Sequence, residues 1–210
     1  MTPPGLVLNV GCGRGALTAQ LIRSGREVVS LDPAEHMVAM CRGLLQRQQL
    51  DSTRVRLAGV EDIEDHATFD AVIALDVIEH IEDDLGALKR IRRALKPTGT
   101  LVLSVPSLSR LYGPKDAEVG HYRRYDKGVL TARLERSDFE LHTCRYWNAI
   151  GVVPVWLSKR REKSVDDSFR YSRSPAARAI NRALRLWFQE VENRVRPPLG
   201  LTLLVTARPR

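Results

Sequence analysis

The sequence predicts an α/β protein built on a parallel, doubly wound sheet, and three observations carry that expectation. Apolar runs alternate with segments of helical periodicity over the first two-thirds of the 210 residues. The runs are apolar nearly throughout rather than at every second position, as strands covered on both faces are. The first of them, Leu6–Val10, leads straight into Gly11, Gly13 and Gly15 and then into a helix-forming segment. A glycine turn between a strand and a helix can cradle a ligand, because glycine accepts positive φ and the helix start offers unpaired N–H groups. A tight turn without a ligand is the plainer reading of that segment.

The elements follow in order. A helix is expected over about Ala16–Arg23 and a strand over Glu27–Leu31, ending on Asp32. The next helix runs over Glu35–Gln48, with Met37, Met40, Cys41, Leu44 and Leu45 at helical spacing. A short strand near Val55–Ala58 precedes the apolar strand Phe69–Leu75. Asp83–Leu95 reads as a helix that stops before Pro97, with Asp83 or Asp84 as its cap. Thr100–Val105 reads as the fifth strand, Lys127–Arg136 as a helix and Glu140–Tyr146 as the sixth strand.

Composition narrows the function classes. One α/β domain fits the length. The net charge of +8 permits an acidic partner without requiring one, and many of the excess arginines fall after residue 158. Three cysteines without C-x-x-C spacing give neither a disulfide framework nor a zinc site, and no metal is expected. They fit a reducing, cytoplasmic setting. The first residues lack the regions of a signal peptide, and the longest apolar run, Trp147 to Leu157, is too short for a membrane span.

Ligands of such sheets gather at the carboxyl ends of the strands, and the candidate residues fall there. Asp32 stands where a carboxylate can take the two hydroxyls of a ribose; the alternative is a turn residue before Pro33. Glu61 or Asp62 could reach an adenine amino group, or belong to a solvated acidic turn with Glu64 and Asp65. Asp76 ends the fourth strand.

With these residues in view, the chain resembles the class I S-adenosylmethionine-dependent methyltransferases. The motifs are V-L-N-V-G-C-G-R-G, Asp32, F-D-A-V-I-A-L-D-V-I-E-H and L-K-P-T-G-T-L-V-L-S-V-P. L-Y-G-P-K-D-A-E-V-G-H-Y-R-R-Y, Y-W-N and P-P-L-G-L-T-L-L-V-T-A-R resemble a bacterial subgroup with a G-H-x-R-R-Y loop, often found beside glycosyltransferases. The resemblance implies a Rossmann-like sheet of seven strands, mostly parallel, with an antiparallel last strand over Leu201–Ala207. It implies S-adenosylmethionine as cofactor and S-adenosylhomocysteine as product. Gly11, Gly13 and Gly15 would cradle the methionine part, Asp32, with Pro33 beside it, would hold the ribose, Glu61 or Asp62 would lie by the adenine, and Asp76 near the methionine end. Asn9 replaces the family's usual acid and cannot offer a full charge to the donor's ammonium. The N-terminal helix that covers the donor in many relatives is also missing; either the acceptor region supplies that cover or the true start lies upstream.

One domain is expected, divided into a donor-binding half (1–105), an acceptor loop with its helix and sixth strand (106–146), a helical insertion or lid (147–198) and the last strand (199–210). His121 is the first candidate for a base and His80 the second, each with a structural role as its alternative. Arg123 and Arg124 could bind an acceptor's carboxylate or phosphate, or pair with Asp116 or Glu118. Tyr112, Tyr122 and Tyr125 could contact the acceptor or only pack the loop. Within the insertion, Ala176–Val195 reads as an amphipathic helix whose stripe of Ile180, Leu184, Trp187, Val191 and Val195 is more often core than membrane face. Trp156 and Trp187 could line an acceptor pocket, with Arg178, Arg182 and Arg185 on the other side. The leading expectation is O-methylation of a small-molecule, glycan or lipid-linked acceptor, with peripheral membrane contact through 147–195 open. An RNA methyltransferase lacks support from any appended RNA-binding module, so a nucleic-acid partner is not expected, and a donor-binding scaffold without turnover is the non-enzymatic reading.

Overall fold

The computed structural model of the chain describes residues 5–160 and 174–210. β1 (Leu6–Val10), α1 (Ala16–Arg23), β2 (Glu27–Asp32), α2 (Glu35–Arg47), β3 (Val55–Leu57), β4 (Phe69–Leu75) and α3 (Asp84–Ala94) make the first half. β5 (Leu95–Pro106), α4 (Pro114–Glu118), α5 (Lys127–Glu135), β6 (Phe139–Trp147), α6 (Val152–Arg160), α7 (Pro175–Leu186) and β7 (Thr202–Pro209) follow. All strands lie in one seven-stranded sheet of order β3-β2-β1-β4-β5-β7-β6. The first five pair in parallel, and β7 runs antiparallel to both β5 and β6. The order reverses between β1 and β4, which opens a crevice at their carboxyl ends.

The apolar strands are explained by the two layers around them. Leu8 and Val10 of β1 join Leu31, Val72, Leu88, Ile91, Leu130 and Leu134 on one face, where α3 and α5 lie. Val7 instead packs with Val28, Ile73 and Leu21 on the face of α1. Each fully buried Leu, Ile or Phe contributes about 1.5–3 kcal/mol, so these two layers carry the stability of the domain. One polar thread crosses the α1 layer: the buried Asn9 donates from Nδ2 to Thr18 Oγ1 (3.0 Å), which shares a hydrogen bond with Ser30 Oγ (2.9 Å). Each such bond adds only about 1 kcal/mol net, but leaving one of these groups unpaired would cost more than that.

Two expectations are corrected here. The helix stops before Pro97 as expected, at Ala94, but β5 begins at once at Leu95 rather than at Thr100, so Pro97 lies inside the strand. Phe69 pairs with Leu95 and Ala71 with Thr100, which bulges Lys96–Gly99 out of the ladder, and a bulge can hold a proline without losing a ladder bond. In the insertion, α7 ends at Leu186 and continues as a π-helical turn, Trp187–Glu192. Its apolar stripe is not core: Ile180, Trp187, Val191 and Val195 are exposed. The turn is anchored instead by Glu192, a buried carboxylate that accepts hydrogen bonds from the N–H groups of Asn148 (2.9 Å) and Ala149 at the end of β6. The basic stretch expected between α6 and α7 falls mostly outside the described residues. Among the described residues, no helix is long and apolar enough to cross a membrane.

Candidate active site

The glycine loop enters the crevice from β1. The N–H groups of Gly11 and Cys12 both donate to Leu31 O (2.9 Å each), so the loop is tied to the end of β2. Gly11, Gly13 and Gly15 have φ of 73°, 51° and 86°, a region that L side chains rarely adopt. A Cβ on Gly11 would stand 2.6 Å from Val77 Cγ2, and one on Gly15 would stand 2.7 Å from Cys41 Sγ. Gly13 differs: a Cβ there would meet nothing within 4 Å. Gly11 and Gly15 are thus required by packing, whereas Gly13 borders open space, as a ligand cradle needs.

Asp32 closes this corner. Its Oδ2 accepts from Gly13 N–H (2.8 Å) and its Oδ1 from Ala34 N–H (3.0 Å), with exposed Pro33 between. Asp62 accepts from Gly59 N–H (2.7 Å) and so is committed to its own turn, while Glu61 is exposed and lies along Gly59. Asn9 faces α1, its amide nitrogen held by Thr18. Asp76 takes a left-handed backbone (φ 53°) at the end of β4; its N–H donates to Ser104 O (3.0 Å), and Ser104 Oγ donates to its Oδ1 (2.9 Å). A non-glycine residue held there by two bonds to β5 is a strained position of the kind found at functional sites.

Opposite the glycine loop, residues 120–125 fold back over the ends of β4 and β5. Tyr122 N–H donates to Glu79 O (2.8 Å), Tyr125 N–H to Pro106 O (2.8 Å), and His121 N–H to Asp116 O (2.8 Å). His121 Nδ1 lies 3.1 Å from Asp116 Oδ1, and the rings of His121 and His80 meet edge to face with centroids 4.6 Å apart. Asp116 is buried and also accepts from Arg124 Nε (2.8 Å) and Gly113 N–H (3.0 Å). Burial pushes its carboxyl up, but Arg124, Gly113 and His121 together outweigh burial and hold it below the usual range. With Nδ1 held by Asp116, Nε2 is the nitrogen His121 can give to a proton or a ligand. Burial, and then the nearby His121, hold the pKa of His80 below its usual value.

The remaining predicted residues divide by exposure. Arg123 pairs with Asp84 (2.9 Å), not with Asp116 or Glu118, and donates to Glu82 O (2.8 Å). Tyr125 is buried, its hydroxyl donating to Asp84 Oδ2 (2.8 Å), so its ring belongs to the core rather than to an acceptor surface. Of the two candidate caps, Asp83 accepts from Gly86 N–H (2.9 Å), whereas Asp84 is buried among Arg123, Arg133 and Tyr125. Tyr112 donates to His121 O (2.8 Å), Tyr122 is exposed under the Arg123 guanidinium, and Trp156 is exposed on α6. Sequence reasoning passed over Glu79: it is 0% exposed, neither carboxylate oxygen has a hydrogen-bond partner, and burial raises its pKa to about 8.

Residues 8–103 match the family model described as a methyltransferase domain. Over 98 residues the chain is 37% identical to the ubiquinone biosynthesis O-methyltransferase of Bradyrhizobium diazoefficiens, covering 47% of this chain and 38% of that protein. The chain spans less than half the length of the curated relatives it matches. Among solved structures, the Burkholderia thailandensis 1,6-didemethyltoxoflavin N1-methyltransferase, with bound 1,6-didemethyltoxoflavin and S-adenosylhomocysteine, aligns with a TM-score of 0.62 at 22% identity, over 98% of this chain and 71% of that one. The [4+2]-cyclase SpnF aligns with a TM-score of 0.65 at 19% identity, over 100% and 76%. The fold is therefore shared with more than one chemistry. Over residues 8–103, which hold the glycine corner and Asp32, the chain is thus similar to methyltransferase domains.

Proposed function

We propose that the chain transfers the methyl group of S-adenosylmethionine to a hydroxyl of a small-molecule acceptor. The Gly13–Asp32 corner carries this reading, because its backbone borders open space and its carboxylate lies alongside. Bound there, the donor supplies an electrophilic methyl group on a sulfonium, whose departure leaves a neutral thioether. Gly11, Gly13 and Gly15 would cradle its methionine part. Asp32 would take the ribose hydroxyls on the lone pairs not used by Gly13 and Ala34. Glu61 suits the adenine better than Asp62, which its turn already uses. Asn9 would offer only its amide oxygen toward the ammonium, and Asp76 would border the methionine end.

The main task of the protein is to align the hydroxyl with the methyl group. The His121–Asp116 pair, with His80 beside it, is where the acceptor's proton would be handled. Tyr122 and Trp156, both exposed, would contact the acceptor, and residues 147–198 would act as a lid over it. The named O-methylation of the Bradyrhizobium relative supports an oxygen acceptor. The exposed stripe of α7, with exposed Arg178 and Arg182, supports a lipid-linked or otherwise apolar acceptor met at a membrane surface.

Calorimetric titration with S-adenosylmethionine, S-adenosylhomocysteine and NAD tests the donor. Binding of the first two and not of NAD is expected. Absence of binding by either would leave a scaffold reading in its place. Hydroxylated sugars and lipid-linked glycans then form the first acceptor screen.

A further inference from the structure

Glu79 poses a problem that methyl transfer alone does not solve. Its side chain is 0% exposed, and both carboxylate oxygens are without a hydrogen-bond partner. Burying a carboxylate unpaired is costly, and buried charges are held by a counter-charge or a metal. Asp76 and Arg124 act on it through space, Arg124 favouring its charged form, but neither is hydrogen-bonded to it. The hydrogen bond from Tyr122 N–H to Glu79 O ties the Ile78–His80 turn to the 120–125 loop and sets His121 beside His80.

We propose that Glu79, His80 and His121 bind one divalent transition-metal ion of the zinc class. One ligand atom from each of the three lies within 4.8 Å of the other two. Around a tetrahedral ion with ligands at about 2.1 Å, such atoms stand roughly 3.4 Å apart, so the three must close by up to about 1.4 Å. Two imidazoles and a glutamate have the side-chain freedom for that. Each imidazole also has an oxygen partner of the kind that orients metal-binding histidines: Asp116 Oδ1 for His121 Nδ1 (3.1 Å) and the backbone of Gly120 for His80. Asp116 is fixed in turn by Arg124 and Gly113. Two nitrogens and one oxygen suit zinc and its neighbours in the first transition row, whereas magnesium and calcium prefer oxygen alone. Three protein ligands leave a coordination position for water or an acceptor oxygen, and the exposed side of His80 opens the site to solvent.

The site deepens the methyl-transfer reading and, in this part, rests on it. With the ion bound, both imidazoles are ligands, and the direct proton transfer to the His121–Asp116 pair given above is replaced by ionisation of the hydroxyl at the metal. The acceptor hydroxyl binds the open position, its pKa falls, and its proton passes to solvent water. The resulting oxygen anion then displaces the methyl group from the sulfonium.

The test is calorimetric titration of the full chain, stripped with chelator, with zinc chloride alone and then with magnesium chloride. One zinc per chain is expected, with magnesium at least a hundredfold weaker. Zinc should bind at least tenfold more weakly to Glu79→Gln and to His80→Ala, each checked for folding by circular dichroism. Cobalt substitution should give visible bands without thiolate charge transfer, which keeps Cys12 and Cys41 apart from this site. Equal zinc affinity in the wild type and both variants, or less than half an ion per wild-type chain, overturns the proposal. Asp32→Ala should lose donor binding while keeping zinc, and His80→Ala the reverse. Loss of the donor reading and loss of the metal site therefore give different results.

Discussion

The two halves of this sheet build their sites by different means. On the proposed donor side the backbone does the work: three left-handed glycines, the N–H of Gly13 on Asp32, and two N–H groups on Leu31 O. On the proposed acceptor side a web of buried ions does it. Asp84 gathers Arg123, Arg133 and Tyr125, and Asp116 gathers Arg124, His121 and Gly113. A backbone cradle depends on few side chains beyond its glycines and Asp32, and the match to the family model covers that half. An ion web fails when any one member is removed, because its partners are left buried and unpaired.

The largest effect expected from this contrast is therefore on the acceptor side. Asp84→Asn should lower unfolding stability by about 2–4 kcal/mol in urea titration, less than for a fully buried triad because both arginines are partly exposed. A loss under 1 kcal/mol would mean that the web is a solvated decoration. Next comes His121→Ala, which should slow turnover by about 10²–10⁴-fold with donor affinity unchanged. Unimpaired turnover would remove His121 from the chemistry. On the donor side, Asp32→Ala should weaken donor binding by about 10- to 100-fold in calorimetry, with the fold kept by circular dichroism and stability lowered by about 1–3 kcal/mol because Gly13 and Ala34 lose their acceptor.

A smaller effect separates Glu79 from its neighbours. In metal-free protein its folded pKa of about 8 lies above the unfolded value of 4.5. Between those values the folded state holds a proton that the unfolded chain releases. Stability should thus fall as pH rises through that window, by at most about 1.4 kcal/mol per pH unit, and level off above it. Glu79→Gln should flatten this slope, as read from chemical melts across pH; an unchanged slope would assign it to another group. Smallest of all, Ile180→Ser and Val191→Ser should change stability by no more than about 0.5 kcal/mol, since both side chains are exposed. They should still reduce sedimentation with anionic lipid vesicles if the stripe meets a membrane.

The donor half was legible in the sequence because each signal there is local. A strand, a glycine turn and an acid after the next strand lie close along the chain, and β1, α1 and β4 fall where periodicity puts them. Pro97 misled the reading of the next junction because a β-bulge, a feature of pairing between Phe69, Leu95, Ala71 and Thr100, has no local signature. The same holds for Arg123. Its partner Asp84 lies across the fold, whereas Asp116 and Glu118 were nearer in sequence. The stripe of α7 shows a third limit, since periodicity reveals that a helix has an apolar side but not what covers it.

The place of β7 in the sheet has a consequence for how the chain assembles. The first five strands find partners among themselves, so the donor half can pair as it leaves the ribosome. Among the described residues, β6 is bonded to the sheet only through β7, which follows it in sequence. It waits with both edges unpaired until β7 arrives between it and β5, and then keeps one open edge. The acceptor half is thus expected to consolidate after the donor half. Trimming the last strand would remove two strands from the sheet rather than one, and amide exchange in β6 should report it.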